Sequence, residues 1–188
     1  MADLQEIFNK CKNIYEHAYT LIKDMATAVA EVLREDGKDF DPSITTGKFD
    51  VVLQYSLLQV AAADNDLDSN EIIYIRDLTK QADLLNFLNN TIDSNYTWEG
   101  IYNSNVYELN SFLKAINDPM ISVCKEIVDV FVLCDKATKV DYYTGFSESI
   151  LALVQGVMLM DGEITNSEKQ VGILILGMLN DIENQLRK

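Results

Sequence analysis

The chain has 188 residues, a formal net charge of −15 at pH 7 and a sequence pI near 4.3. Such an excess of carboxylates repels nucleic-acid phosphates and anionic membrane surfaces, so we expect neither as a partner. Because 48% of the residues are hydrophobic and only 2 are proline, the chain is expected to fold compactly around a sizeable core.

The cysteine and apolar patterns predict a soluble, cytoplasmic protein. The three cysteines, Cys11, Cys124 and Cys134, lie in helical apolar patterns without a Cys-x-x-Cys pair, which indicates reduced, buried thiols. No basic segment followed by an apolar one begins the chain, so we expect no signal peptide. The longest apolar stretches, LALVQGVMLM and VGILILGML, are too short for a membrane helix, which predicts no membrane insertion.

The first predicted helix covers Leu4 to Leu33, where apolar residues recur in steps of three and four. Its heptad spacing fits a homodimer through this N-terminal helix. Packing inside the chain is the interpretation we favour, because the apolar stripe is as wide as that of a core-facing helix. Residues 31–48 combine Gly, Asp, Pro and charged residues and are predicted to form a loop.

Helical periodicity continues to the end of the chain, and no stretch shows the alternation of a β-strand. Asp118-Pro119 is a start signal, with a capping carboxylate followed by proline at the first helical position. The fold class is therefore predicted to be all-α, a helical bundle of about seven helices. After the first helix, the predicted helices span residues 49–63, 69–88, 104–116, 119–136, 146–160 and 166–186.

One helix–turn–helix pattern occurs twice. A shift of 97 positions (161 − 64) places ADNDLDSNE, residues 63–71, on MDGEITNSE, residues 160–168, and also aligns Phe49 with Phe146 without a gap. The apolar matches before each turn fall at helical spacing, which indicates an internal duplication. We therefore predict a single helical body over residues 1–188. Its two related units are residues 1–88 and 119–188, and its connecting segment is residues 89–118.

Helix capping explains part of the repeated turn. Asn65 and Gly162 follow the end of a helix, where a left-handed backbone is needed and Gly and Asn tolerate it best. An N-cap residue followed three positions later by Glu forms a capping box. The predicted boxes pair Asp68 with Glu71 and Thr165 with Glu168.

Capping does not explain Asp64 and Asp161, which lie at the negative C-terminal end of a helix dipole. Asp66 and Glu163 add a second like charge to each turn. Loop N–H groups in an Asx turn, a nearby Lys or a bound cation would offset this repulsion, and oxygen ligands at alternate positions suit Ca²⁺ or Mg²⁺. The candidate metal ligands are Asp64, Asp66, Asp68, Glu71, Asp161, Glu163 and Glu168.

The repeated turn resembles the tellurite-resistance TerB-like family, all-helical domains marked by an A-D-G-x-[IL]-x-x-x-E turn. The resemblance covers residues 45–85 and 146–185, with Asn65 in place of the family's Gly and residues 84–118 as an inserted segment. It implies a stress-response protein, with proposed metal sensing or scaffolding and no established catalytic activity. The acidic signature positions that it implies are Asp64, Asp66, Glu71, Asp161, Glu163 and Glu168. An EF-hand is rejected, because its required Gly and final carboxylate fall on Ser69 and Ile75.

The sequence favours a non-enzymatic protein. His17 is the only histidine, so the chain lacks the residues that a catalytic triad or a His-based metal site requires. Trp98 with Tyr96 and Tyr102 forms either a recognition patch or a satellite cluster under a loop. We expect acidic loops that bind a divalent cation; the alternatives are an acidic scaffold for a protein partner and a carboxylate-based hydrolase.

Overall fold

A computed structural model describes residues 4–35, 41–79, 97, 100–101, 105–160 and 162–188. In these ranges the chain forms seven helices and no strand, which confirms the predicted all-α fold class. The helices are α1 Leu4–Glu35, α2 Pro42–Ala61, α3 Ser69–Leu78, α4 Val106–Ala115, α5 Asn117–Thr138, α6 Tyr142–Val157 and α7 Asn166–Leu186.

The loop predicted over residues 31–48 is wrong at both ends, because α1 continues to Glu35 and α2 begins at Pro42. The start signal is an Asp-Pro pair that the sequence analysis overlooked. The carboxylate of Asp41 caps the helix by accepting a hydrogen bond from Ser43 N at 2.8 Å. Proline fits the next position because an N–H there has no partner within the helix. Residues 36–40 lie outside the described residues.

The helix start predicted at Asp118-Pro119 is displaced by two residues (118 − 116) toward the N-terminus. α5 begins at Asn117, and its N-cap is Ile116, which makes no side-chain capping bond and also ends α4. Two helices therefore meet at a single buried residue, and the carboxylate of Asp118 lies in the first turn, where the helix dipole favours it. α6 likewise begins at Tyr142, four residues (146 − 142) before its predicted start.

The second helix occupies the centre of the bundle. α2 packs against all six other helices, and between Phe49 and Ala62 every residue except Gln59 is buried. A helix that is largely apolar on all sides is stable in water only when neighbours cover all of it. The remaining helices therefore form a shell around α2.

The repeated helices α2 and α6 meet at equivalent positions. The rings of Phe49 and Phe146, which the repeat aligns, contact each other edge to face with centroids 6.2 Å apart. α1 packs on α6, and α5 packs on α2, so the helix before each repeated pair also contacts the other pair. The described core is continuous across both units. The boundaries 1–88 and 119–188 stay a prediction, because residues 80–96, 98–99 and 102–104 lie outside the described residues.

The apolar stripe of α1 is buried inside the chain. Cys11, Ala18, Ile22, Met25 and Val29 are each at most 4% exposed and belong to the common core. Packing within the chain therefore accounts for the heptad spacing of this helix.

Gly156 allows two other helices to reach the backbone of α6. A Cβ atom at this position would lie 2.5 Å from Cys11 Sγ of α1 and closer still to the Tyr74 hydroxyl of α3. Tyr74 is 1% exposed, and its hydroxyl donates a hydrogen bond to the Leu153 carbonyl at 3.0 Å, so it has little freedom to move away.

We expect Gly156→Ala to destabilise the fold. The methyl group displaces Tyr74 and Cys11, and overpacking of this kind outweighs the gain in helix propensity by about 1–2 kcal/mol. Thermal unfolding followed by circular dichroism should show a Tm about 2–8 °C lower. The matched control is Gly47→Ala in α2, whose Cβ would meet nothing within 4 Å and which should raise the Tm. Equal shifts for the two variants would contradict this account.

Candidate functional site

The first corner, residues 62–68, turns the chain from α2 into α3. Asn65 has a φ of 66°, the left-handed conformation that the sequence predicts for it. The Asp68 carboxylate caps α3 by accepting from Asn70 N at 2.7 Å, and the Glu71 carboxylate accepts from Asp68 N at 3.0 Å. The capping box predicted for this corner is therefore confirmed.

The second corner, residues 158–165, has the same design between α6 and α7. Gly162 has a φ of 91°, and the Thr165 hydroxyl accepts from Glu168 N at 3.2 Å. The Glu168 carboxylate accepts in return from Thr165 N at 2.6 Å, which confirms the second capping box. Asp161 lies outside the described residues. Both capping glutamates are buried, since Glu71 is 4% and Glu168 1% exposed.

Asp64 and Asp66 are held by the loop itself. The Asp64 carboxylate accepts a hydrogen bond from Asp66 N at 2.9 Å, and the Asp66 carboxylate accepts from Leu67 N at 3.0 Å. The first of these contacts is the Asx turn that was one of the predicted explanations. In the described part of the chain, neither carboxylate forms an ion pair with Lys or Arg. Within the described ranges, backbone N–H dipoles therefore offset their negative charges.

Those predicted metal ligands that the structure describes do not assemble into a cage. No group of three or more His, Cys, Asp or Glu side chains among the described residues is placed to hold a metal ion. Asp68, Glu71 and Glu168 instead cap helices, and Glu163 is exposed. The described side chains thus do not fit an all-protein metal site, and the cation at the two corners stays a prediction.

A cleft of about 580 Å³ opens beside the first corner. The corner supplies one wall through Ala62, Ala63 and Asn65, and α2, α4, α5 and α7 supply the rest. The other lining residues are Gln59, Asn110, Leu113, Lys114, Asn117, Asp118 and Val171. The sequence does not reveal this cleft, because α4 lies within the predicted connecting segment, residues 89–118.

Carboxamide side chains give the cleft its chemistry. Gln59 Nε2 donates to the Tyr55 hydroxyl at 2.9 Å, and that hydroxyl donates to Asn117 Oδ1 at 3.0 Å. Burial raises the pKa of Tyr55 to about 12, so its hydroxyl keeps the proton that it donates. The amide of Asn110 donates to the Ala62 carbonyl at 3.4 Å. Each carboxamide offers a donor and an acceptor, which is the hydrogen-bonding pattern of a peptide group.

The three cysteines and His17 are not among the residues that line the cleft. All three cysteines are free and buried, as predicted. Burial raises the pKa of Cys124 to about 12 and that of Cys134 to about 11, so these thiols stay protonated near neutral pH. His17 is exposed on α1.

A buried polar centre lies where α1, α2 and the end of α3 meet. Asp50 is 1% exposed, and the Tyr15 hydroxyl donates to its Oδ1 at 2.6 Å. Its Oδ2 has no hydrogen-bond partner among the described residues, and burial raises its pKa to about 6. One turn later, Gln54 donates to Thr79 Oγ1 at 2.6 Å. The sequence analysis missed Asp50 because a single acid in an apolar run is recognised as buried only once α1 is in place.

Comparison with protein-family models, with curated proteins and with solved structures found no match. The resemblance to the TerB-like family therefore stays a prediction. No helix in the described ranges is long and apolar enough to cross a membrane. The aromatic patch predicted at Tyr96, Trp98 and Tyr102 lies outside the described residues.

We expect the two kinds of acidic residue in the corners to differ in their effect on stability. Glu168→Ala removes a buried capping acceptor and should lower the free energy of unfolding by about 1–3 kcal/mol. Asp66→Asn keeps an acceptor oxygen for the loop, so it should change that free energy by less than about 0.5 kcal/mol. Urea unfolding of both variants measures this difference. A large loss for Asp66→Asn would instead assign the carboxylate charge a structural role.

Asp50 should make stability depend on pH. An aspartate in an unfolded chain titrates near pH 3.9, whereas the folded pKa is about 6. Because the folded state binds the proton of Asp50 more tightly than the unfolded state does, protonation stabilises the fold. This contribution to the free energy of unfolding is complete below about pH 4 and is lost as the pH rises through about 6. The loss amounts to about 2–3 kcal/mol.

The measurement is the free energy of unfolding of Asp50→Asn relative to wild type, from urea titrations at several pH values. The asparagine side chain of this variant does not titrate, and it retains an oxygen that accepts from the Tyr15 hydroxyl. The relative stability of the variant should therefore rise by about 2–3 kcal/mol between pH 4 and 7.5. Asp129→Asn, at an exposed position of α5, is the control and should show no such rise. A pH-independent difference for Asp50→Asn would contradict the assignment.

Proposed function

We propose that this chain is a non-enzymatic, acidic binding module of the TerB-like type that receives a basic segment of a partner protein at the first corner. One observation carries the proposal. Asp64 and Asp66, which have no ion-pair partner in the described part of the chain, stand on the loop that forms one wall of the carboxamide-lined cleft. The repeated corner geometry, with its left-handed residue and capping box, supports the TerB-like assignment.

The cleft suits an extended peptide. Its carboxamides can pair with the N–H and C=O groups of a bound backbone, and Leu113 and Val171 offer an apolar floor. A Lys or Arg of the peptide would reach the carboxylates of Asp64 and Asp66 at the rim. Exposed ion pairs of this kind contribute about 0.2–1 kcal/mol each, so we expect modest affinity that falls as salt is added.

The described lining favours binding over turnover. Lys114 and Asp118 are the ionisable side chains among the described lining residues, and both are exposed. An enzyme site of this type would need a general base or nucleophile with an environment that alters its pKa.

A divalent cation is the second candidate for the first corner. The same uncompensated pair, Asp64 and Asp66, favours it, but two carboxylates leave most positions around a hard ion to water or backbone oxygens. We therefore rank it below a basic peptide, whose backbone also uses the cleft.

The test is selection of peptides from a random display library, followed by fluorescence anisotropy with the selected peptides. The selected sequences should be enriched in Lys and Arg, and their affinity should fall with salt. The double variant Asp64→Asn with Asp66→Asn keeps the acceptor oxygens of the loop but removes two charges, and it should weaken binding by about two- to thirtyfold, the equivalent of two exposed ion pairs. The control, Asp24→Asn with Asp129→Asn, removes two charges from exposed positions on other surfaces.

Three results would count against a basic-peptide site. Selected peptides without basic residues, or equal losses for the double variant and its control, would remove the role of the corner carboxylates. A rise in Tm with millimolar Ca²⁺ or Mg²⁺, abolished by Asp64→Asn, would favour the cation instead.

A further inference from the structure

We propose that α7 joins two copies of this chain into an antiparallel dimer through its outward face. We call this face the α7 strip. It is separate from the proposed peptide site, because Val171 is the only residue of α7 that lines the cleft. The strip consists of the exposed residues Lys169, Gln170, Ile173, Leu174, Gly177, Asn180 and Asp181.

The centre of the strip is apolar and open to solvent. Ile173 and Leu174 are each 69% exposed, more than any other exposed aliphatic side chain of the described helices. Gly177 follows one turn later on the same face, and a Cβ built there would meet nothing within 4 Å. A glycine inside an exposed helix costs about 1 kcal/mol relative to alanine, and nothing in the chain's own packing requires it.

The charge pattern of the α7 strip favours a second copy as the occupant, because its two ends carry opposite charges, Lys169 and Asp181. Two chains that each carry −15 repel when their acidic surfaces approach. Between residues 170 and 180 the exposed positions of α7 carry no charge, so two copies can approach here without placing carboxylates together. A strongly basic partner would gain nothing from this face, whereas the first corner offers it uncompensated carboxylates.

The strip is complementary to itself in the antiparallel arrangement. With a two-fold axis beside residue 175, Ile173 lies at the level of Gly177 of the partner subunit, and each isoleucine fills the space that a missing side chain leaves. At each end of the strip, Lys169 and Gln170 of one copy lie close to Asp181 of the partner subunit. A parallel arrangement would instead place like charges at the same level.

This face differs from the one that the heptad spacing of α1 predicted. The seam residues Cys11, Ala18 and Met25 of α1 are buried within their own chain, whereas Ile173 and Leu174 are each 69% exposed. A contact limited to about three turns of one helix is small, and interfaces below about 1,200 Å² are typical of weak association. We therefore expect a dimer that forms with rising concentration.

Sedimentation velocity over a wide concentration range tests the association. Wild type should shift from monomer to dimer, and Ile173→Asp with Leu174→Asp should raise the dissociation constant at least about tenfold. Gly177→Gln should also weaken the dimer, although it raises the Tm of the monomer by improving helix propensity. The control is Tyr107→Asp on α4, an apolar residue that is 78% exposed outside the strip, and it should leave the dimer unchanged.

Disulfide cross-linking tests the orientation. In the antiparallel dimer the two copies of residue 174 lie beside the axis, so Leu174→Cys should form a covalent dimer under mild oxidation. The two copies of residue 166 lie about 27 Å apart along the helices at a rise of 1.5 Å per residue, so Asn166→Cys should not. The native cysteines do not interfere because all three are buried.

Each contrary result overturns a defined part of the proposal. A wild-type chain that stays monomeric up to millimolar concentration, or a dimer that tolerates Ile173→Asp with Leu174→Asp, removes the α7 strip as a self-association face. Cross-linking of Asn166→Cys as efficiently as Leu174→Cys rejects the antiparallel arrangement. A different protein bound at the strip of a monomeric chain also rejects the second copy as its occupant.

Discussion

The architecture depends on the burial of one helix. α2 is covered on nearly every side from Phe49 to Ala62, and full burial of a large apolar side chain contributes about 1.5–3 kcal/mol. Six helices are required to cover it, and they come from both halves of the chain. This requirement explains why the two repeated helix pairs do not form separate bodies. The helix that precedes each pair packs against the other pair, and the aligned rings of Phe49 and Phe146 contact each other between the pairs.

The acidic residues of each corner divide into those that cap a helix and those that do not. Each corner must end one helix and start the next within a few residues, and the left-handed residue with the capping box satisfies the exposed N–H groups. Glu71 and Glu168 therefore serve as buried helix-capping acceptors. Asp64 and Asp66 each use one carboxylate oxygen to accept a hydrogen bond from the loop, and neither forms an ion pair in the described part of the chain. The proposed binding function rests on the carboxylates that the fold leaves uncompensated.

The placement of charge divides the surface into regions with different uses. The chain as a whole is strongly acidic, whereas the described lining of the cleft beside the first corner combines carboxamides with one lysine, Lys114, and one aspartate, Asp118. The outward face of α7 is the contrasting region, since its centre is apolar and uncharged. The two proposals therefore use different faces: we propose a partner with basic residues at the first corner and a second copy of the chain at the α7 strip.

The sequence by itself determined the helical class, the repeated corner and both capping boxes, because these depend on residues that are close along the chain. It also contained the Asp41-Pro42 start signal, which was overlooked since charged residues around it suggested a loop. Only the tertiary structure decided that α2 is central, that Asp50 is buried, and that α4 completes a cleft with the first corner. Those features arise where helices distant in sequence meet, and periodicity along one helix carries no information about which neighbour covers it.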